Sequence, residues 1–182
     1  MYTIVALSRA ERFSPNSVDK DAAILGCVCN ELIHCGCDVE IREEANLDVS
    51  ANVSLVLSMG RLPQTLHALS NMENAGVKVV NTPSSVALCC NRRQLNNVLK
   101  AAGIPLAPEK GEHGYWLKRA DGVAESSGDV QYAADEAEAQ AKEKQMREAG
   151  VGDVLVCAHV PGDLIKFYGV RGTDFFRYYY PG

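Results

Sequence analysis

Short apolar runs alternate with amphipathic stretches over the first eighty residues, and the two periods identify the elements. YTIVAL is a continuous β-branched run, the pattern of a buried strand. The turn-rich loop SRAERFSPNS follows, with Ser17 as N-cap and Asp19 and Asp21 in the first helical turn, where the dipole favours anions. DAAILGCVCNELIHCG then places Ile24, Leu25, Val28, Leu32 and Ile33 on one broad helical face and stops near Gly36. CDVEIREE reads as the second strand. Beyond a polar linker, VSLVLSMG is another apolar strand, Pro63 to Asn74 a helix ending at Ala75-Gly76, and VKVVN a further strand. This order predicts a parallel sheet flanked by helices, so residues 1–82 form one Rossmann-like α/β domain. No G-x-G-x-x-G follows the first strand, so the usual dinucleotide site is not expected.

The pattern changes after residue 82. Residues 83–110 read as a helical linker: Pro83 opens a short helix, a second runs from about Arg92 to Ala102, and Gly103 caps it before a proline-punctuated stretch. From residue 111, YWLKRA is a strand, ADEAEAQAKEKQMREAG a long helix of strong formers, and DVLVCAHV a strand. LIKFYGVRG and TDFFRYYY follow as antiparallel strands joined by a tight glycine-containing turn. Residues 111–182 are therefore expected to be a second, α+β unit. An aromatic strand and a turn, YYYPG, normally lead into a further element, so this unit is expected to be truncated.

Composition narrows the class. At 47% hydrophobic and 23% charged residues the chain is of ordinary soluble globular type. No run of about 18 apolar residues predicts a transmembrane helix. The N-terminus lacks a basic leader and a cleavage pattern, and seven cysteines without a secretion signal suit the reducing cytoplasm. A net charge of −5 argues against nucleic acid as partner. Cys27, Cys29, Cys35 and Cys37 form C-x-C…C-x-C, which invites a metal reading. On a helix, however, residues two apart point about 200° away from each other, so these are read as buried, inert thiols and Cys89-Cys90 as packing.

Three blocks, in order, resemble the ATP-grasp superfamily. GVKVVNTPSSVALCCNRRQLNNVLKAAGIPLAP is similar to the exit from its N-terminal α/β domain. YWLKRAD is similar to its strand bearing a phosphate-binding lysine, and VLVCAHVPGDLIKFYGV to its hinge strand and the antiparallel strand after it. The last block looks closest to the inositol-phosphate kinase and ribosomal-protein glutamate ligase branches. The resemblance spans about residues 52–180 and makes residues 111–182 the first part of an ATP-grasp subdomain.

The resemblance implies ATP as cofactor and assigns roles. Arg92 falls where the family usually has a lysine at a helix start, and Lys118 matches the phosphate-contacting lysine; a point charge on a flexible stem suits a phosphate oxygen. Val156, Cys157, His159 and Val160 match the hinge whose backbone recognises adenine, with His159 or Val160 supplying the contact. Cys157-Ala158 replaces the common Gln-Glu, so the side-chain contact to the adenine amino group is absent. Asp163 matches an acidic position that takes the ribose hydroxyls. Lys166 and Arg177 match cations near the transferred phosphoryl group, where they would stabilise developing charge; as an alternative they are cross-strand surface charges. Arg9 and Arg61, in loops after strands, are candidates for substrate contact, with Gly60 allowing backbone approach. ADGVAESSGDV stands where the family has a more glycine-rich flap. The magnesium ligands are expected beyond residue 182, so no metal ligand is assigned here.

The complete form is thus expected to catalyse ATP-dependent carboxylate–amine ligation or small-molecule phosphorylation. The alternative is a truncated nucleotide-binding or interaction module without catalysis. That alternative predicts an exposed apolar patch or a homodimer that covers it.

Overall fold

The computed structural model describes residues 2–14, 16–47, 53–124, 126–170 and 172–181. The polar linker expected before the third strand lies largely outside them. Strand β1 (Thr3–Ser8) is central in a four-stranded parallel sheet, which is why its side chains are apolar on both faces. Around it pair β2 (Asp38–Glu43), β3 (Leu55–Ser58) and, outside β3, β4 (Lys78–Val80), in the order β2-β1-β3-β4. The register places Ile4 beside Val39 and Leu55, and Val56 beside Val79.

Helix α1 (Val18–His34) packs on one face of this sheet through Leu25 and Cys29 against Ala6, Val39 and Leu57. Helix α2 (Pro63–Asn74) packs on the other, where Leu69 closes a core with Val5, Leu7, Val56 and Val79. Pro63 opens α2 at a position whose N–H needs no intrahelical partner. Both helices end in a left-handed glycine, Gly36 (φ 83°) and Gly76 (φ 92°), with the next amide reaching back to Leu32 or Met72. Ser17 stands at the N-cap of α1 as expected, but its side chain makes no capping bond.

The α1 face differs from expectation. Of the five residues assigned to it, only Leu25 is buried, whereas Ile24, Val28 and Ile33 are exposed. The row that meets the sheet is Leu25–Cys29, one helical turn apart, and Ile24–Val28 is rotated off it by about 100°. The thiols also differ: among the seven cysteines, all free, only Cys29 is fully buried. Cys27, Cys35 and Cys89 are exposed, because α1 turns the first two away from its sheet-facing row.

Two short helices, α3 (Pro83–Cys90) and α4 (Arg92–Ala101), lead to the second unit. Thr82 and Asn91 cap them through their side chains, accepting from Ser85 N–H and Gln94 N–H. There, β5 (Tyr115–Arg119) lies between β6 (Val130–Ala133) and β7 (Val154–Ala158) in an antiparallel sheet. Helix α5 (Glu136–Glu148) covers one face, burying Ala139 and Met146 against Tyr115, Leu117, Ala133 and Val154. Strand β6 is absent from the sequence expectation, in which the flap segment ends at Val130 and residues 131–133 carry no element.

The last pair, β8 (Lys166–Gly169) and β9 (Phe176–Tyr179), forms a separate antiparallel hairpin. Phe167 stacks on Phe176 at 5.9 Å and Tyr168 on Tyr179 at 5.6 Å, yet every residue of both strands is exposed. Between the two strands, Gly172 at φ 81° supplies a left-handed step.

The start of α4 clamps the second sheet. Arg93 donates to both oxygens of Asp153 at 2.9 Å and to the Val154 carbonyl at 2.9 Å, and Arg92 Nη1 to the Arg119 carbonyl at 2.8 Å. The Arg93 hydrogen bonds hold the Asp153 carboxyl below its usual range, with burial opposing. Its stabilising contribution is therefore full above the unfolded carboxylate pKa of about 4 and is lost as pH falls through the depressed value. Urea midpoints of the wild type and Asp153→Asn should differ at pH 7 and converge below about pH 4. A difference independent of pH would show that the pair contributes no charge-linked stability.

Candidate functional site

The ends of the parallel strands are organised by one buried carboxylate. Glu44, in the turn after β2, is 2% exposed. Its Oε1 accepts from Ala10 N–H at 2.6 Å, and its Oε2 accepts from Arg61 N–H and Leu62 N–H, each at 2.7 Å. Its own carbonyl accepts from Thr65 Oγ1 at 3.0 Å. Three charge-assisted bonds, two of them at the N-terminus of α2, make burial of this charge tolerable. They also fix the β1–α1 and β3–α2 loops side by side, which positions Arg9 and Arg61. Gly60 fits the same arrangement: a Cβ there would lie 2.9 Å from Glu44 Oε2. The glycine accommodates Glu44, and it also lines the cavity above these loops.

Above these loops lies a cavity of about 540 Å³ that brings together Arg9, Arg61 and Arg92. Gly122 and Val123 of the β5–β6 segment reach into it, as do Cys89 and Cys90 of α3. Burial raises the Cys90 thiol pKa, with Arg61 opposing. Arg9 is anchored by an ion pair to Asp21 at 3.1 Å and by a 3.4 Å bond to the Met59 carbonyl. Burial lowers its pKa from the ordinary value, and the nearby Arg61 charge lowers it further. Asn81 Nδ2, bonded to the Ser58 carbonyl at 2.9 Å, ties the end of β4 to β3 at the cavity wall.

A second cavity, of about 840 Å³, lies along β7 and the segment 104–110. Lys118, Val156 and Cys157 line it, with Arg93 and Lys100 from α4. Alternation in β5 turns Tyr115 and Leu117 to the α5 core and Trp116 and Lys118 to the opposite, uncovered face. Among the described residues the Lys118 ammonium has no hydrogen bond or ion pair. Beside it Trp116 Nε1 donates to His159 Nδ1 at 3.0 Å, and Tyr132 packs edge-on to both rings. Gly114 permits this approach, since a Cβ there would collide with the Tyr132 hydroxyl.

Strand β7 is an edge strand, so alternate backbone groups turn outward. Ala158 N–H donates outward to the Pro108 carbonyl at 2.8 Å, and by the two-residue alternation Val156 presents its N–H and C=O on the same edge. His159 N–H is already given to the Gly114 carbonyl at 2.8 Å, so of the two hinge positions named for the adenine contact it is not available. Val160 and Asp163 are exposed in the segment after β7. Lys166 and Arg177 share one hairpin face with Tyr168 and Tyr179, and they line neither cavity. Arg177 stacks over the Phe175 ring at 5.6 Å. Glu44 itself escaped sequence reasoning, since a glutamate after a strand is ordinarily solvated.

No protein-family model and no curated protein matches this sequence. Solved structures do. An ATP-grasp RimK domain protein from Sphaerobacter thermophilus is 19% identical with a TM-score of 0.59, over 87% of this chain and 64% of that one. D-alanyl-alanine synthetase A from Vibrio cholerae is 15% identical with a TM-score of 0.64, over 96% of this chain and 65% of that one. N5-carboxyaminoimidazole ribonucleotide synthetase from Thermotoga maritima is 13% identical with a TM-score of 0.57, over 88% and 46% respectively. The chain has the ATP-grasp fold and spans less than two thirds of each of these three proteins.

The donor set suits ATP in part: Lys118, an outward backbone edge at Val156, and the apolar side chains of Ile104, Leu106 and Leu155 lie along one cavity. Among the described residues no group of three His, Cys, Asp or Glu side chains is placed to hold a metal ion. No helix among them is long and apolar enough to cross a membrane.

Replacing Glu44 with Ala would strand three amide donors. Urea unfolding should show a loss of about 3 kcal/mol or more, against a change within about 0.5 kcal/mol for the exposed Glu31→Ala. Equal effects would remove Glu44 from its organising role.

Proposed function

We propose that this chain is the substrate-binding domain and part of the nucleotide clamp of an ATP-dependent ligase. One observation carries the reading: Lys118, without a hydrogen bond or ion pair among the described residues, faces a cavity edged by β7, on the sheet face that α5 leaves open. The likeness in fold to ATP-grasp synthetases supports it.

In this reading Lys118 holds a phosphate oxygen as a point charge. Adenine lies along the β7 edge, hydrogen-bonded by the outward groups of Val156 or by Val160, and flanked by Leu155 and Cys157. Asp163 accepts the ribose hydroxyls. Arg92, which lines the first cavity and is fixed through the Arg119 carbonyl, faces the phosphates from the substrate side. Arg9 and Arg61 hold the substrate, and Lys166 and Arg177 of the hairpin approach the transferring phosphoryl group. When bound, ATP supplies that group: a substrate carboxylate oxygen attacks the γ-phosphorus and ADP leaves. An amine then attacks the acyl phosphate, loses a proton and expels phosphate. The protein's part is positioning and charge stabilisation. Phosphorylation of a small-molecule hydroxyl would use the same first step.

Calorimetry with Mg-ATP should show saturable binding that Lys118→Ala weakens at least about tenfold, roughly 1.4 kcal/mol. Binding that is indifferent to Lys118→Ala would move the nucleotide elsewhere. Failure of the wild-type chain to bind would overturn the reading for this chain.

A further inference from the structure

The cavity at the end of the parallel sheet has a chemical bias that the fold does not require. Among the described residues, Arg9, Arg61 and Arg92 line it, and no aspartate or glutamate does. Two of these cations are engaged, Arg9 with Asp21 and Arg92 with a backbone carbonyl. Arg61 differs. Its backbone N–H is held by Glu44, but among the described residues its guanidinium has no hydrogen bond or ion pair, although the residue is half-buried. It also sits close enough to Arg9 to depress the latter's pKa beyond the effect of burial. A cation held near another cation, away from bulk water, is stabilised by an anion.

The rest of the wall is aliphatic. Ile24 and Val28 of α1 and Val80 of β4 are 59%, 45% and 44% exposed, and all three line this cavity. Ile24 and Val28 belong to the α1 row that misses the sheet. Aliphatic side chains left exposed in a concave space of this size match an apolar ligand surface.

We infer that this cavity takes an organic anion with an apolar body, a carboxylate or a phosphate monoester on an aliphatic or aromatic frame. The anionic group lies on Arg61 and the frame along Ile24, Val28 and Val80. This deepens the proposed function, on which it rests only for calling the ligand a substrate; binding itself needs no nucleotide. Acetate or inorganic phosphate would satisfy Arg61 but leave the aliphatic wall uncovered. An alkylammonium ion would cover the wall but meet three cations.

The test is an NMR-monitored titration of the nucleotide-free chain with acetate, butanoate, hexanoate, hexyl phosphate and hexylamine. Affinity should rise along the carboxylate series by up to roughly fourfold per buried methylene, and hexylamine should not saturate. Arg61→Met, which keeps the stem and removes the charge, should weaken hexanoate at least about tenfold, with circular dichroism confirming the fold. Ile24→Ser should flatten the chain-length dependence. Tighter binding of hexyl phosphate than of hexanoate assigns the anion as a phosphate monoester, and the reverse assigns a carboxylate. Equal affinity for acetate and hexanoate, or no effect of Arg61→Met, overturns the inference. Hexanoate binding by a chain that fails to bind ATP would keep this inference and remove the ATP-dependent reading. Lys118-dependent ATP binding without response to any anion would do the opposite.

Discussion

The buried carboxylate of Glu44 is the constraint on which the functional end of the molecule depends. A parallel sheet delivers its strand ends to one edge, but loops of different length need not converge there. Glu44 makes two of them converge by accepting from Ala10, Arg61 and Leu62 at once. A buried charge is tolerated only when every such bond is made, so the geometry is all-or-none. The side chains of Arg9 and Arg61 inherit their places from it, and with them the cationic character of the cavity.

The second unit follows a complementary logic. Helix α5 covers one face of the antiparallel sheet, and the pleat sends every second side chain of β5 to the other. That face carries a lysine and a Trp116–Tyr132–His159 cluster where a second packing layer would carry aliphatic residues. Arg93 joins the two units, because its fork spans Asp153 and the Val154 carbonyl while its helix starts beside the first cavity. The two cavities are thus flanked by one short helix, α4, which lends Arg92 to the first and Arg93 and Lys100 to the second. The exposed aromatic hairpin β8–β9 stands apart from both cores, stabilised by stacked cross-strand rings.

Much of the architecture was legible in advance. The β1 run, the Pro63 start and Gly76 stop of α2, the charged α5 and the lysine of YWLKRA each carry a local signal that no tertiary contact overrides. The three ordered blocks pointed to ATP-grasp proteins, and the solved structures share that fold. Strand β6 was not legible. Its four residues follow Gly128 and Asp129 and become a strand only by pairing Tyr132 with Trp116 and Ala133 with Tyr115. The buried row of α1 was also misread, since five aliphatic residues spread over more of the helix than the sheet can cover.

The sequence by itself determined the elements other than β6, their order and the residue types able to meet phosphate, because periodicity, caps and charge act over a few neighbouring residues. Only the tertiary structure decided which of those residues share a space. It put Arg9, Arg61 and Arg92 around one cavity and Lys118 in another. It spent the His159 amide on Gly114, left Ile24 and Val28 uncovered, and buried Glu44. Each of those outcomes depends on contacts between segments distant in sequence. A carboxylate seventeen residues from the amide it accepts leaves no local trace of that bond.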